Sequence, residues 1–262
     1  MNIEEQIKRE KGVHGEQWGS LHGGYFSDTF IVRPFIKTIA SYLSAFPADM
    51  IIDLGGGTGF VLRELMAEGV TGNMISVNLD ASETQMEAIE KNVISCIKGM
   101  ISDFSRGDLT VDGEKRIFFI MRSVLHYFGK DGLAAVLQHI RDQAKQGEMF
   151  IHQSVCFETA GEARCMNALY REMGSPKWYP VVQYMRDCAT AAGWETMALY
   201  PAPSLKLSSA ELGQRYGLDQ PALLKIRDRL MNEFGEIENV FERVSDGFTA
   251  YLHYRIVVAR AS

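Results

Sequence analysis

Four glycines crowd into five positions of the run Asp53-Leu54-Gly55-Gly56-Gly57-Thr58-Gly59, directly behind the apolar residues Met50, Ile51 and Ile52. Glycine weakens strands and helices, so their presence here needs a reason. Gly55, Gly57 and Gly59 permit a tight bend with positive φ and let a ligand lie against bare backbone. With a helix starting at Phe60, the exposed N–H groups of its first turn can receive a carboxylate or a phosphate. A dinucleotide fingerprint needs glycine at the sixth place of GxGxxG, where this chain has Phe60. A second candidate for chemistry is Asp80, in Ser76-Val77-Asn78-Leu79-Asp80-Ala81-Ser82. It is read either as a ligand-binding carboxylate or as a helix N-cap, with Ser82 a competing cap that would free it.

The elements that must position these residues follow from periodicity. Residues 31–46 place Ile36, Ile39, Leu43 and Phe46 at helical spacing, Met50 to Leu54 is a short apolar strand, and Phe60 to Ala67 returns to helical spacing. Asn73 to Leu79 reads as a strand and Ser82 to Asn92 as a helix carrying Met86 and Ile89 inward. Val93 to Lys98 and Arg116 to Met121 are further strands, Leu133 to Ala144 a helix and Glu148 to Val155 a strand. Strands alternating with helices specify a parallel sheet covered on both faces. Beyond residue 157 the beat changes. Residues 157–178 read as helical, Val181 to Ala192 as a helix and Trp194 to Tyr200 as a strand. Residues 208–244 read as helices interrupted at Gly217 and Pro221, and Gly247 to Arg260 as one closing strand.

The pattern acidic-x-Gly-x-Gly-x-Gly resembles motif I of the class I S-adenosylmethionine-dependent methyltransferases, and the element series resembles their catalytic domain over about residues 35–200 plus the closing strand. The resemblance implies an α/β, Rossmann-like, doubly wound sheet of seven mostly parallel strands with helices on both faces, plus N-terminal and inserted helical lid segments. It implies S-adenosylmethionine as cofactor, with S-adenosylhomocysteine as product, held by Asp53, Gly55, Gly56, Gly57, Gly59, Asp80 and Ala81. Asp80 would accept hydrogen bonds from both ribose hydroxyls, each charge-assisted and worth about 1.5–3 kcal/mol. Asp103 and Phe104 match the pair that meets the adenine, with Asp108 a rival. Arg122 and Ser123 would line the methionine end, and His126 and Tyr127 would face the reaction centre or the helix behind it. His126 is read two ways, as a general base or as a packing residue.

Methyl transfer is an in-line displacement at a carbon already activated by a sulfonium. Alignment alone can supply roughly 7–11 kcal/mol of the barrier, and a base matters only where the acceptor carries a proton. The parts that close such a site should be apolar and aromatic. Residues 14–30, with Trp18, Tyr25, Phe26 and Phe30, and residues 165–180, with Tyr170, Trp178 and Tyr179, are the expected lid and acceptor pocket. Tyr25 is expected near the cofactor's methionine tail. Ordinary aromatic packing is the other reading of both segments.

Of the 262 residues, 46% are hydrophobic and 23% charged, with a formal net charge of −6, an ordinary globular balance. The acidity argues against nucleic acid or an anionic membrane as main partner. The charged start of the chain lacks the apolar core of a secretory signal, and no run approaches the roughly 20 apolar residues of a membrane span, so a cytoplasmic protein is expected. Cys96, Cys156, Cys165 and Cys188 are dispersed and read as buried apolar residues, a thiolate trio for a soft metal being the alternative. We expect one domain over 1–262: a lid segment at 1–34, a cofactor half at 35–156, and helical insertions at 157–180 and 205–246 on the substrate side. A monomer or homodimer that methylates an O, N or C atom of a small, partly apolar acceptor fits this organisation. An inactive cofactor-binding regulator and a nucleotide-dependent oxidoreductase are the readings from other classes.

Overall fold

The computed structural model describes residues 24–90, 92–110 and 114–262. Helix α1 (Thr29–Ala45) begins two residues before its apolar periodicity does, because the Asp28 carboxylate accepts from the N–H groups of Phe30 and Ile31 at 2.7 and 3.2 Å. Strand β1 (Met50–Leu54), helix α2 (Phe60–Ala67) and strand β2 (Ile75–Asp80) form the first crossover, with β1 and β2 parallel. After it come α3 (Glu83–Met86), β3 (Ser95–Lys98), α4 (Arg106–Leu109) and β4 (Ile117–Arg122). A 3₁₀ turn (Leu125–Phe128) leads into α5 (Gly129–Gln143) and β5 (Met149–Val155).

The second part holds α6 (Ala160–Glu172), α7 (Val182–Ala191) and β6 (Trp194–Pro201). Then follow β7 (Leu205–Ser208), α8 (Ser209–Tyr216), α9 (Gln220–Phe234), β8 (Phe241–Val244), β9 (Gly247–Leu252) and β10 (Tyr254–Ala261). The main sheet has seven strands in the order β3-β2-β1-β4-β5-β10-β6, with β10 antiparallel to both neighbours. The Rossmann-like, mostly parallel sheet expected from the sequence is therefore present. Its core has two sides. Ile52, Leu54, Phe119 and Phe150 pack with α5 and α7, while Ile51, Phe118 and Ile120 pack with α1 and α2.

Three expectations are corrected. The helix anticipated from Ser82 to Asn92 is a single turn, because beyond Met86 the backbone closes i to i+3 bonds, Ile89 N–H to Met86 O and Val93 N–H to Glu90 O. Met86 and Ile89 are buried all the same. The block at 205–246 is not purely helical: β7 and β8 flank its two helices and pair with β9 in a three-stranded antiparallel sheet. The closing segment is two strands, not one. The chain leaves the small sheet at Leu252 and enters the large one at Tyr254, with only His253 between, whose Nε2 lies 2.7 Å from the Asn239 carbonyl. The four cysteines are free thiols, and burial pushes those of Cys156 and Cys165 up to about 12. No helix among the described residues is long and apolar enough to cross a membrane.

Candidate active site

The strand order reverses between β1 and β4, and in open α/β sheets ligands bind beyond the carboxyl ends of the strands at such a point. The glycine run sits there. Gly55 N–H donates to the Leu79 carbonyl at 2.7 Å, tying the bend to β2. Gly55, Gly57 and Gly59 all have positive φ, of 74°, 55° and 72°. Gly56 answers to a different constraint, close approach: a Cβ there would stand 2.1 Å from Asn78 Oδ1 and 2.5 Å from Asp53 Oδ2. Gly56→Ala is therefore expected to cost about 2 kcal/mol of unfolding free energy, since overpacking a tight site forces side chains off their rotamers. A urea melt within error of the parent would contradict that.

Asp53 is wholly buried, and neither carboxylate oxygen has a hydrogen-bond partner among the described residues. Burial, and secondarily the charge of Asp80, push its pKa up to about 7, against a smaller lowering by Arg122. Its folded value lies above the ordinary 3.8, so folding takes up a proton between these pH values. The stability it contributes is full below the lower one and is lost as pH rises through the upper one. Asp53→Asn removes this dependence. Its stability relative to the parent should improve by on the order of 4 kcal/mol between pH 4 and 7.5, each unit of separation being worth about 1.4. Parallel urea melts across that range would show no such divergence if Asp53 were ionised throughout.

Asp80 is half-buried at the tip of β2, and its carboxylate holds the bend: Gly57 N–H donates to Oδ2 at 2.9 Å and Ser82 N–H to Oδ1 at 2.6 Å. This corrects the division of labour expected with Ser82, which starts α3 without any side-chain cap bond. Ala81 is half-buried beside it. Asn78, missed in the sequence, supports the same loop by donating to the Gly57 carbonyl at 3.2 Å. Gln85 was missed too, and its Oε1 would meet a Cβ on Gly57 at 2.4 Å.

The expected adenine pair is split by the structure. Asp103 is exposed, whereas Phe104 is buried edge-on against His139, inside the core. The side chains that press on the bend are instead Ile101 and Val124, which a Gly55 Cβ would meet at 3.2 and 2.8 Å. The rival Asp108 is engaged in a capping box with Ser105 at the start of α4, whose donors hold its carboxyl below the usual range.

At the end of β4, Arg122 donates from both terminal nitrogens, to the carbonyls of Phe26 and Tyr25 at 3.0 and 3.2 Å. Its guanidinium clamps the 25–26 turn and faces the rings of Tyr25, Phe26 and Phe60. Tyr25 is buried. Its hydroxyl donates to the Pro203 carbonyl at 2.5 Å and its ring stacks on Tyr254, so its polar end is directed to a backbone carbonyl. Ser123 has a φ of 62°, uncommon for a residue with a Cβ, and is held by its N–H on the Gln153 carbonyl and its hydroxyl 2.7 Å from that of Tyr254.

Beyond Ser123 lies a small, partly open pocket. The expected residues Phe26, Ser123, His126, Tyr127, Tyr170 and Tyr179 converge on it, from four separate stretches of chain. Lys177, Leu205, Arg215, Leu252 and Tyr254 complete its lining and were not anticipated. The free space is about 20 Å³, room for a water molecule. His126 packs against the rings of Tyr127 and Tyr179 at 4.2 and 5.5 Å, and its carbonyl accepts from Trp178 N–H. Asn167 holds Tyr179 at both backbone groups, donating to its carbonyl and accepting from its N–H at 2.8 Å each. Burial raises the phenols of Tyr170, Tyr179 and Tyr254, which keeps them neutral hydrogen-bonding groups. Trp178 does not line the pocket and packs edge-on against Tyr184 of α7, at the margin of the core. Phe30 is exposed, with the Arg33 guanidinium over its ring. Trp18 lies outside the described residues. Among the described residues no cluster of three or more His, Cys, Asp or Glu side chains could hold a metal ion.

No protein-family model matches this chain, and no curated protein does. Solved structures do. A methyltransferase candidate from Bacillus halodurans is similar with a TM-score of 0.63 at 12% identity, over 86% of this chain and 99% of that one. The YcgJ protein of Bacillus subtilis gives 0.58 at 12% identity, over 85% and 97%. An S-adenosylmethionine-dependent methyltransferase from Geobacter sulfurreducens, solved with S-adenosylhomocysteine, gives 0.55 at 10% identity, over 97% and 98%. With its strand order and its glycine bend, the chain has the fold of the S-adenosylmethionine-dependent methyltransferases.

Proposed function

We propose that the protein transfers a methyl group from S-adenosylmethionine to an O, N or C atom of a small acceptor. The observation that carries this reading is a junction of two neighbours. Val124 abuts the glycine bend, while Ser123, the residue before it, lines the aromatic pocket. Donor cradle and acceptor pocket thus meet at the end of one strand.

The residues fit the donor. The bend leaves no room for side chains, Asp80 stands at the tip of the adjacent strand, and Asp53 keeps a buried carboxyl beneath the loop. When bound, S-adenosylmethionine supplies a methyl group on a sulfonium. Asp80 would hold the ribose hydroxyls, and Ile101 and Val124 would provide an apolar wall for the adenine. The phenols exclude water and orient the acceptor. His126, on the pocket wall, takes the acceptor's proton where the acceptor is a hydroxyl or an ammonium.

The cofactor-bound form of the Geobacter sulfurreducens neighbour supports the choice of donor. The pocket's small free space favours a second reading, a donor-binding protein without turnover. Calorimetry with S-adenosylhomocysteine, followed by release of S-adenosylhomocysteine from the methyl donor across an acceptor panel, separates the two. Binding with turnover supports methyl transfer, binding without turnover on any acceptor supports the second reading, and no binding at millimolar ligand sinks both.

A further inference from the structure

Two hydrogen-bond acceptors face each other beneath the glycine bend. Ile51 packs toward α1 and α2, so Asp53, two residues on along β1, faces the same side, and Asn78 is its register partner on β2. Both side chains are fully buried. The Asn78 amide is oriented by its bond from Nδ2 to the Gly57 carbonyl at 3.2 Å, which leaves Oδ1 on the Asp53 side. Asn78 Oδ1 and Asp53 Oδ2 both stand within 2.5 Å of the place a Gly56 Cβ would take. Oδ1 of Asn78 has no donor, and neither oxygen of Asp53 has one.

Buried acceptors left without a donor are costly, and here a single proton resolves the conflict. Protonated, Asp53 donates its O–H to Asn78 Oδ1 while Asn78 keeps the Gly57 carbonyl. Ionised, Asp53 needs a donor, and Asn78 supplies one by turning its amide over, which lets go of Gly57. The two states thus differ at the bend in one group: the Gly57 carbonyl is taken in the first and open to a ligand in the second. The charged groups that face Asp53 are Asp80 from β2 and Arg122 from β4. The side chains that α1 and α2 bury against this face, among them Val32, Phe35, Val61 and Leu62, carry no charge. Burial first and Asp80 second hold the carboxyl up at about 7 against Arg122, so the protonated state prevails below that pH in the free protein.

We infer that donor binding turns this pair over: the ligand's α-ammonium takes the Gly57 carbonyl, Asn78 swings its amide to Asp53, and the Asp53 proton leaves to solvent. No covalent bond other than that O–H changes, and the arriving positive charge itself favours the carboxylate. This rests on the methyl-transfer reading, which names the ligand, and gives its site a dependence on pH. Where the free carboxyl holds its proton, binding must expel it, so affinity falls as the solution is acidified. Where the carboxyl is already ionised, affinity is level.

The test is calorimetry on the full chain with S-adenosylhomocysteine, in pairs of buffers of different ionisation enthalpy, whose difference in heat counts the protons released. We expect close to one proton per ligand at pH 6, almost none at pH 8.5, and an affinity that rises roughly tenfold from pH 5.5 to 6.5. Methylthioadenosine has the nucleoside without the ammonium, so it should bind with no proton release and one affinity throughout. Asp53→Asn carries a permanent N–H where the acid has its O–H and so holds the first state. Its S-adenosylhomocysteine affinity at pH 8 should be at least tenfold below the parent's and indifferent to pH. Should that variant not fold, the methylthioadenosine comparison on the parent decides alone. S-adenosylhomocysteine binding without proton release at pH 6, an equal release with methylthioadenosine, or a release that persists in Asp53→Asn would each overturn the inference and leave donor binding standing. No binding of either nucleoside at millimolar concentration would remove the methyl-transfer reading and this inference with it.

Discussion

Asp80→Ala should weaken S-adenosylhomocysteine binding at least a hundredfold by calorimetry. Two effects combine. The carboxylate would lose its bonds to the ribose hydroxyls, and charge-assisted bonds are worth about 1.5–3 kcal/mol each. It would also release Gly57 and Ser82, whose N–H groups it holds at 2.9 and 2.6 Å, so the bend would no longer be preorganised. Asp80→Asn separates these contributions, because its amide oxygen can still accept one loop N–H. We expect it to lose about tenfold, keeping the loop but not the charge. Affinity unchanged in the alanine variant would show that the carboxylate only shapes the loop.

His126→Gln should lower kcat about a hundredfold on any acceptor that carries a proton, with S-adenosylhomocysteine affinity intact. Glutamine keeps the main-chain carbonyl that receives Trp178 N–H and much of the contact with Tyr127 and Tyr179, but it cannot take up a proton at neutral pH. General-base catalysis is typically worth 10²–10⁴-fold. A residue that only packs would give the opposite signature, a lower melting temperature with kcat preserved. The dependence of kcat on pH is the further readout, since removing a base flattens the acid limb and removing a packing contact does not.

The sheet and the bend were legible because both are local in sequence. Apolar runs of strand length, helical spacing between them and four glycines in five residues state their geometry without reference to distant residues. Asp80 was legible for the same reason, standing where its strand must end. The errors arise where long-range packing decides. The strand Leu205–Ser208 is four residues long, too short for its alternation to stand out between two prolines and a helix start. The split of the final segment at His253 leaves the alternation unbroken in sequence, because β9 and β10 are both strands and only their partners differ. Phe104 follows an acidic residue as the expected adenine contact would, but its ring is claimed by His139 and the core. Asp108 was open as a rival until its capping box with Ser105 became visible, although Ser-x-x-Asp could have suggested one. Lys177 and Arg215 carry no local signal at all: 38 positions separate them, and only the folding of α8 against the α6 side brings both to one pocket.

The single-residue passage from β9 to β10 has a consequence for how specificity can change. Leu252 and Tyr254, on either side of His253, both reach the pocket, but one belongs to the ribbon of the small sheet and the other to the ribbon beside β5. The joint is a seam between the small sheet and the main sheet. Substitutions within 205–252 are expected to reshape that wall of the pocket while the strands bearing Asp53 and Asp80, several ribbons away across the main sheet, keep their register.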